Sequence, residues 1–203
     1  MKKILFVPAI VFALIVALAS PSVFAQSFLA KKVVKIGEPV PEFTLNDTEG
    51  KSVKRTDFTG SVLMIVYWSA NCPFSKRYDP RVNQIVNDYQ SKNVKVAGID
   101  SNSTENLDEV KKAMKARNLQ YPILIDPSNL IADQYGAITT PHVFIIDESG
   151  ILVYEGAIDD QGWSDKNPIT AKYARDALDA TVTDEILVTP VTKPFGCTIK
   201  RVE

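Results

Sequence analysis

The seven consecutive apolar residues from Val62 to Trp68 constrain this chain more than any other feature. A strand with one wet face alternates, so an unbroken run fits only a strand buried on both faces or a buried helix. Its β-branched and aromatic residues and its short length select a central strand. Ser69-Ala70-Asn71-Cys72-Pro73 follows directly and opens an amphipathic helix. The apolar residues Phe74, Tyr78, Val82, Ile85, Val86 and Tyr89 share one face of that helix. Residues 94–99 make the next strand and complete a parallel strand–helix–strand unit.

The remaining elements read from local punctuation. Phe43 and Leu45 alternate as a short strand after a polar lead-in over 26–36, and residues 47–50 form a turn. A second helix is expected from Thr104 to Arg117, with Asn102 and Glu105 as its capping box and Leu107, Val110 and Met114 as its buried stripe. Residues 122–126 form a short strand, and 128–135 a short helix ended by Gly136. Residues 142–147 and 152–156 alternate around Glu148-Ser149-Gly150, a hairpin signal. Asn167-Pro168 is expected to cap a last helix to about Thr181, since proline suits a first turn. The sum is an α/β domain, a mixed central sheet flanked by helices on both faces.

A chain of 203 residues with 45% hydrophobic content can bury a sizeable core. Its 23 basic and 24 acidic residues give no basic surface for nucleic acid. Two cysteines and one histidine cannot make a disulfide-dense scaffold or a self-contained four-ligand zinc site. No metal and no cofactor is expected. Residues 1–25 read as a secretory signal peptide: Lys2-Lys3, an apolar run over 4–19, then Val23-Phe24-Ala25 as the cleavage site. The run is short for a membrane span, so no stable anchor is expected after cleavage. Removal takes two lysines and no acids, moving the net charge from −1 to −3. The expected location is periplasmic or secreted, where oxidising conditions let a disulfide persist.

Cys72 sits between the carboxyl end of the most buried strand and the first turn of a helix. Helix-terminal N–H groups point toward such a position and carry roughly half a positive charge. Lys76 and Arg77 follow within one turn. That field favours the thiolate, the reactive form of cysteine. The competing reading is a buried, inert cysteine.

On these residues the chain resembles the thioredoxin-fold redoxin family, a group spanning AhpC/TSA-like, peroxiredoxin-like and thiol–disulfide oxidoreductase proteins. Four motifs carry the resemblance. The first is the leader Gly37-x-Pro39-x-Pro41-x-Phe43-x-Leu45-x-Asp47, with Gly50-Lys51 and Asp57-Phe58-x-Gly60. Tyr67-Trp68-x-x-Asn71-Cys72-Pro73-Phe74-Ser75 occupies the place of a Trp-Cys-x-x-Cys segment. Pro80 stands where such proteins kink the active-site helix, and Thr139-Thr140-Pro141 matches the cis-proline loop that faces the cysteine.

The resemblance implies a thioredoxin-like three-layer sandwich over 35–181, followed by a tail over 182–203. It implies that Cys72 is the nucleophile, that Pro141 is cis, and that Thr140 offers backbone groups to an incoming polypeptide. Trp68, Phe74, Ser75, Thr140 and Pro141 would line the substrate site. Ser75 departs from the family, because a dithiol enzyme carries its second cysteine there. Cys197, in the tail motif Phe195-Gly196-Cys197-Thr198-Ile199-Lys200, is the substitute. It could close on Cys72 within one chain or across a dimer, as a resolving cysteine or as a structural clasp. Closing so long a loop adds on the order of 4–5 kcal/mol through unfolded-chain entropy.

The expected activity is exported thiol–disulfide exchange with a thiol or disulfide protein partner. A thiol peroxidase is the alternative. Ser69 lies three residues before Cys72 as a peroxidase site requires, but Ile65 stands where that motif has proline, and Arg77 or Arg81 would have to serve the thiolate. The third reading is a non-enzymatic scaffold holding a static disulfide. His142 is expected as a packed neutral histidine, Asp159, Asp160 and Asp165 as a solvated loop, and Trp68 and Trp163 as core or groove wall. Ser75 breaks the pattern that copper delivery needs.

Overall fold

The computed structural model describes residues 32–202, so the expected leader lies outside it. The chain opens on a hairpin of β1 (Thr44–Asp47) and β2 (Ser52–Lys54). Asp47 closes its turn by accepting the N–H groups of Glu49 and Lys51, each at 2.9 Å. β3 (Val62–Trp68) follows, buried at all seven residues, and leads into α1 (Pro73–Tyr89). Next come β4 (Val94–Asp100), α2 (Leu107–Ala116), β5 (Ile123–Ile125) and α3 (Leu130–Tyr135). The chain finishes with β6 (Thr139–Thr140), β7 (His142–Ile146), β8 (Leu152–Gly156), α4 (Tyr173–Val182) and β9 (Cys197–Thr198).

Seven strands form one mixed sheet in the order β2-β1-β5-β4-β3-β7-β8. β3 lies between parallel β4 and antiparallel β7, which explains its unbroken apolar run. Strand alternation divides the core in two. Val62, Met64, Val66 and Trp68 pack with Tyr78, Val82, Ile85 and Tyr89 of α1, Val110 of α2, and Ala174, Ala177 and Leu178 of α4. Leu63, Ile65 and Tyr67 pack on the opposite face with Phe43 and with Ile131, Ala132 and Tyr135 of α3. The expected layering of helices on both faces is what forms, with β3 in the middle.

Two helix starts differ from the sequence reading. α2 begins at Leu107, capped by Asn106 with Glu109 as the box partner. Asn102 and Glu105 have the same spacing, but tertiary partners take their side chains. α4 begins at Tyr173 after Lys172, not at Asn167-Pro168. The Asn167 side chain instead donates to the Gln161 carbonyl at 2.9 Å and closes a loop. That loop also corrects the reading of Asp159 as solvated. It is 3% exposed and accepts from Tyr78 Oη and Arg81, both at 2.7 Å. The 26–36 lead-in is polar in sequence, yet Val34 is buried in the core and its N–H donates to Gln134.

Candidate active site

The site is built where β3 ends. Cys72 is the N-cap of α1, in extended conformation, and its sulfur accepts the Ser75 N–H at 3.5 Å. Pro73 occupies the first helical position, where its missing N–H costs no helical bond. Pro80 lies inside the helix, which runs on to Tyr89. Ser75 is 1% exposed and its hydroxyl accepts the Ser69 N–H at 3.2 Å. At the position of a second cysteine, Ser75 thus pins the loop before the first.

Opposite Cys72 stands the loop between β6 and β7, with the Thr140–Pro141 peptide in the cis form. The Cys72 thiol donates to the Thr140 carbonyl at 3.1 Å. β9 pairs antiparallel with β6, placing Cys197 opposite Thr140 and Thr198 opposite Thr139. The Cys72 and Cys197 side chains interact directly, and both thiols are free. The two cysteines, 125 residues apart in sequence, therefore meet within one chain.

Their electrostatic environments differ. Burial opposes a Cys72 thiolate, but hydrogen bonds from the Cys197 and Thr140 side chains and the Ser75 N–H outweigh it and lower the pKa. Lys76 and Arg77, expected to supply charge, are not among the leading causes. Arg77 instead donates to the carbonyls of Gly162 and Trp163, and Arg81 to Asp159 and Gln161. Cys197 is pushed up to about 11, by burial first and then by its contact with Cys72. Cys72 is thus the better thiolate, and the better leaving group from any disulfide joining the pair.

A polar frame supports the 69–71 loop, and three of its members have no local sequence signature. Glu105 accepts the Ser69 hydroxyl, the Ala70 N–H at 2.7 Å and the Asn71 N–H at 3.0 Å. Arg117 donates to the Ser69 and Ala70 carbonyls and lies over the Trp68 ring. Asp79, 2% exposed, accepts the Trp68 indole N–H at 2.9 Å and one Arg117 N–H at 3.3 Å. Asn102 donates to the Trp68 carbonyl and accepts the Lys200 N–H, while Ser103 bonds the carbonyls of Lys200 and Arg201. One loop therefore holds both cysteine-bearing segments.

The other expected residues sort plainly. Trp68 is core, 1% exposed. Phe74 forms an aromatic wall with Trp163 and Phe195, at centroid distances of 5.0 and 6.3 Å. His142 is 4% exposed, and burial drives its pKa down to about 3, so it is a packed neutral ring. Its Nδ1 accepts the Ile138 N–H at 3.4 Å.

Comparison with known proteins agrees with this architecture. The AhpC/TSA family pattern matches residues 36–155. A thiol-disulfide oxidoreductase ResA of Bacillus thuringiensis subsp. konkukian is 30% identical over 128 residues, covering 63% of this chain and 73% of the relative. Among solved structures, a hypothetical protein from Sinorhizobium meliloti 1021 superposes with a TM-score of 0.77 at 28% identity, covering 84% of this chain and 97% of that one. The thioredoxin domain of a thiol-disulfide oxidoreductase from Bacteroides vulgatus matches in fold, with a TM-score of 0.55 at 21% identity over 60% of this chain and 88% of that one.

Proposed function

Because this chain belongs to the AhpC/TSA family, we propose that it is an exported thiol–disulfide oxidoreductase whose redox couple is Cys72 with Cys197 of the same chain. The contact between these two side chains at the N-terminus of α1 carries the reading. The ResA relatives support the reaction class. The leader over 1–25 supports a periplasmic or secreted location.

The Cys72 thiolate attacks one sulfur of a partner disulfide. That bond breaks, and the departing thiolate takes a proton from water. Cys197 then attacks the Cys72 sulfur of the mixed disulfide and releases the second partner thiol. The partner gains two electrons and the protein keeps a Cys72–Cys197 disulfide, which an external dithiol reduces again. Once Cys72 is a neutral disulfide its charge no longer opposes a Cys197 thiolate, so the second step becomes easier.

The test is turnover of a disulfide substrate with a dithiol reductant, in the parent and in Cys72→Ser. The variant is expected at the uncatalysed rate. Equal rates in both proteins would remove the proposal and leave the pair as a static clasp. Peroxide consumed faster than disulfide would make the protein a thiol peroxidase instead.

A further inference from the structure

The edge of β6 beside Cys72 is taken by the chain's own tail. β6 and β9 form a two-stranded sheet apart from the main one, so Thr139 and Thr140 find strand partners in residues 197–198. An edge strand with free backbone groups is a template for an extended polypeptide, and here a cysteine-bearing polypeptide already lies on it.

The details of that segment describe what the edge accepts. Gly196 has φ +149 and lies against the Thr140 carbonyl, where an added Cβ would stand 2.1 Å from the oxygen. That same carbonyl accepts the Cys72 thiol. A side chain at this position would therefore push the strand away from the cysteine. Phe195 packs edge-on against Phe74 and Tyr78, with ring centroids 6.3 and 5.8 Å away, and tilted against Trp163 at 6.2 Å. Trp163 is 68% exposed, so this wall opens to solvent.

The segment is held on both sides rather than draped. Upstream, Thr192 bonds Tyr154 and the Ala157 N–H, and its own N–H donates to Glu155. Downstream, Ile199 is buried and Lys200 pairs with Asn102 and Ser103. Cys72 beneath it is 2% exposed, which bars a macromolecule from the sulfur while the strap is seated.

We propose that residues 195–198 are a built-in occupant of the substrate edge, competing with an extended segment of a partner protein that presents its cysteine opposite Thr140, a glycine before it and an aromatic residue before that. This rests on the exchange reading above. The partner strand displaces the strap, and the Cys72 thiolate attacks the partner sulfur and expels the other half of its disulfide as a thiolate. The returning strap then brings Cys197 to the Cys72 sulfur and releases the reduced partner cysteine.

The test uses the full chain and two aryl mixed disulfides with the same leaving group. One is built on a peptide reproducing residues 193–200, the other on glutathione. The peptide-to-glutathione ratio of attack rates is expected to rise about tenfold or more in Gly196→Val, whose side chain meets the Thr140 carbonyl. Phe195→Ala, which removes the aromatic anchor, should move the ratio the same way and guards against misfolding of the first variant. On Gly196→Val, a peptide with valine in place of its glycine should react about tenfold more slowly than the glycine peptide. Unchanged ratios in both variants, or equal rates for the two peptides, would overturn the proposal. Loss of glutathione exchange in the parent would instead overturn the oxidoreductase reading beneath it.

Discussion

Cys197→Ser is expected to stop the protein at the mixed disulfide. Cys72 keeps the N-cap of α1 and the Ser75 N–H, so the first attack survives and releases one leaving thiolate per chain. Serine is isosteric but cannot attack sulfur, and Ser75 cannot substitute for the same reason. The adduct then waits for an external thiol. Exchanging a thiol held against the target sulfur for a dilute one in solution should lower turnover by about 100-fold or more. Mass spectrometry of the whole chain should find partner thiol attached to Cys72 in place of an internal bond. Turnover at the parental rate, with no adduct, would mean that Cys197 takes no part.

Asp79→Ala is expected to be the most damaging change outside the cysteines. The carboxylate is almost wholly buried and is shared between the Trp68 indole and the Arg117 guanidinium. Burial raises its pKa, and the Trp68 and Arg117 hydrogen bonds work against that rise. Removing it strands an arginine side chain that is only 14% exposed. Breaking such a pair from one side costs about 3–5 kcal/mol, which for a domain of this size lowers Tm by roughly 6–20 °C. Denaturant melts should show it. Because Arg117 also holds the Ser69 and Ala70 carbonyls, exchange should slow in the variant that remains folded. Pairing Asp79→Ala with Arg117→Ala should cost less than the sum of the two single changes, because the second change removes the stranded charge. Strictly additive costs would contradict the arrangement.

The elements that were legible in the sequence are those whose signal is local. β3 declared itself by seven apolar residues, and Cys72 by lying between that strand and a proline-opened helix. Gly136 ends α3 where the sequence placed its end, and the structure shows it there in the left-handed conformation. What stayed hidden depends on residues distant in sequence. Glu105 reads as half of a capping box, yet its carboxylate reaches back 34 to 36 residues to the 69–71 loop. Arg117 and Asp79 look like ordinary charged helix residues until the fold buries them beneath Trp68. β6 and β9 have two residues each, too short for any periodicity, so the strap over Cys72 left no pattern to find. The tail motif suggested Cys197 as a partner. Only the packing put it beside Cys72 in the same chain.

The pairing of these cysteines is tested most directly by counting thiolates. The fully reduced parent is titrated with an aromatic disulfide, at protein concentrations low enough to suppress exchange between chains. Two leaving thiolates per chain are expected, together with a monomer whose digest contains a single peptide linking Cys72 to Cys197. One thiolate per chain with a stable adduct on Cys72, or an adduct on Cys197 alone, would contradict a redox couple formed by the two.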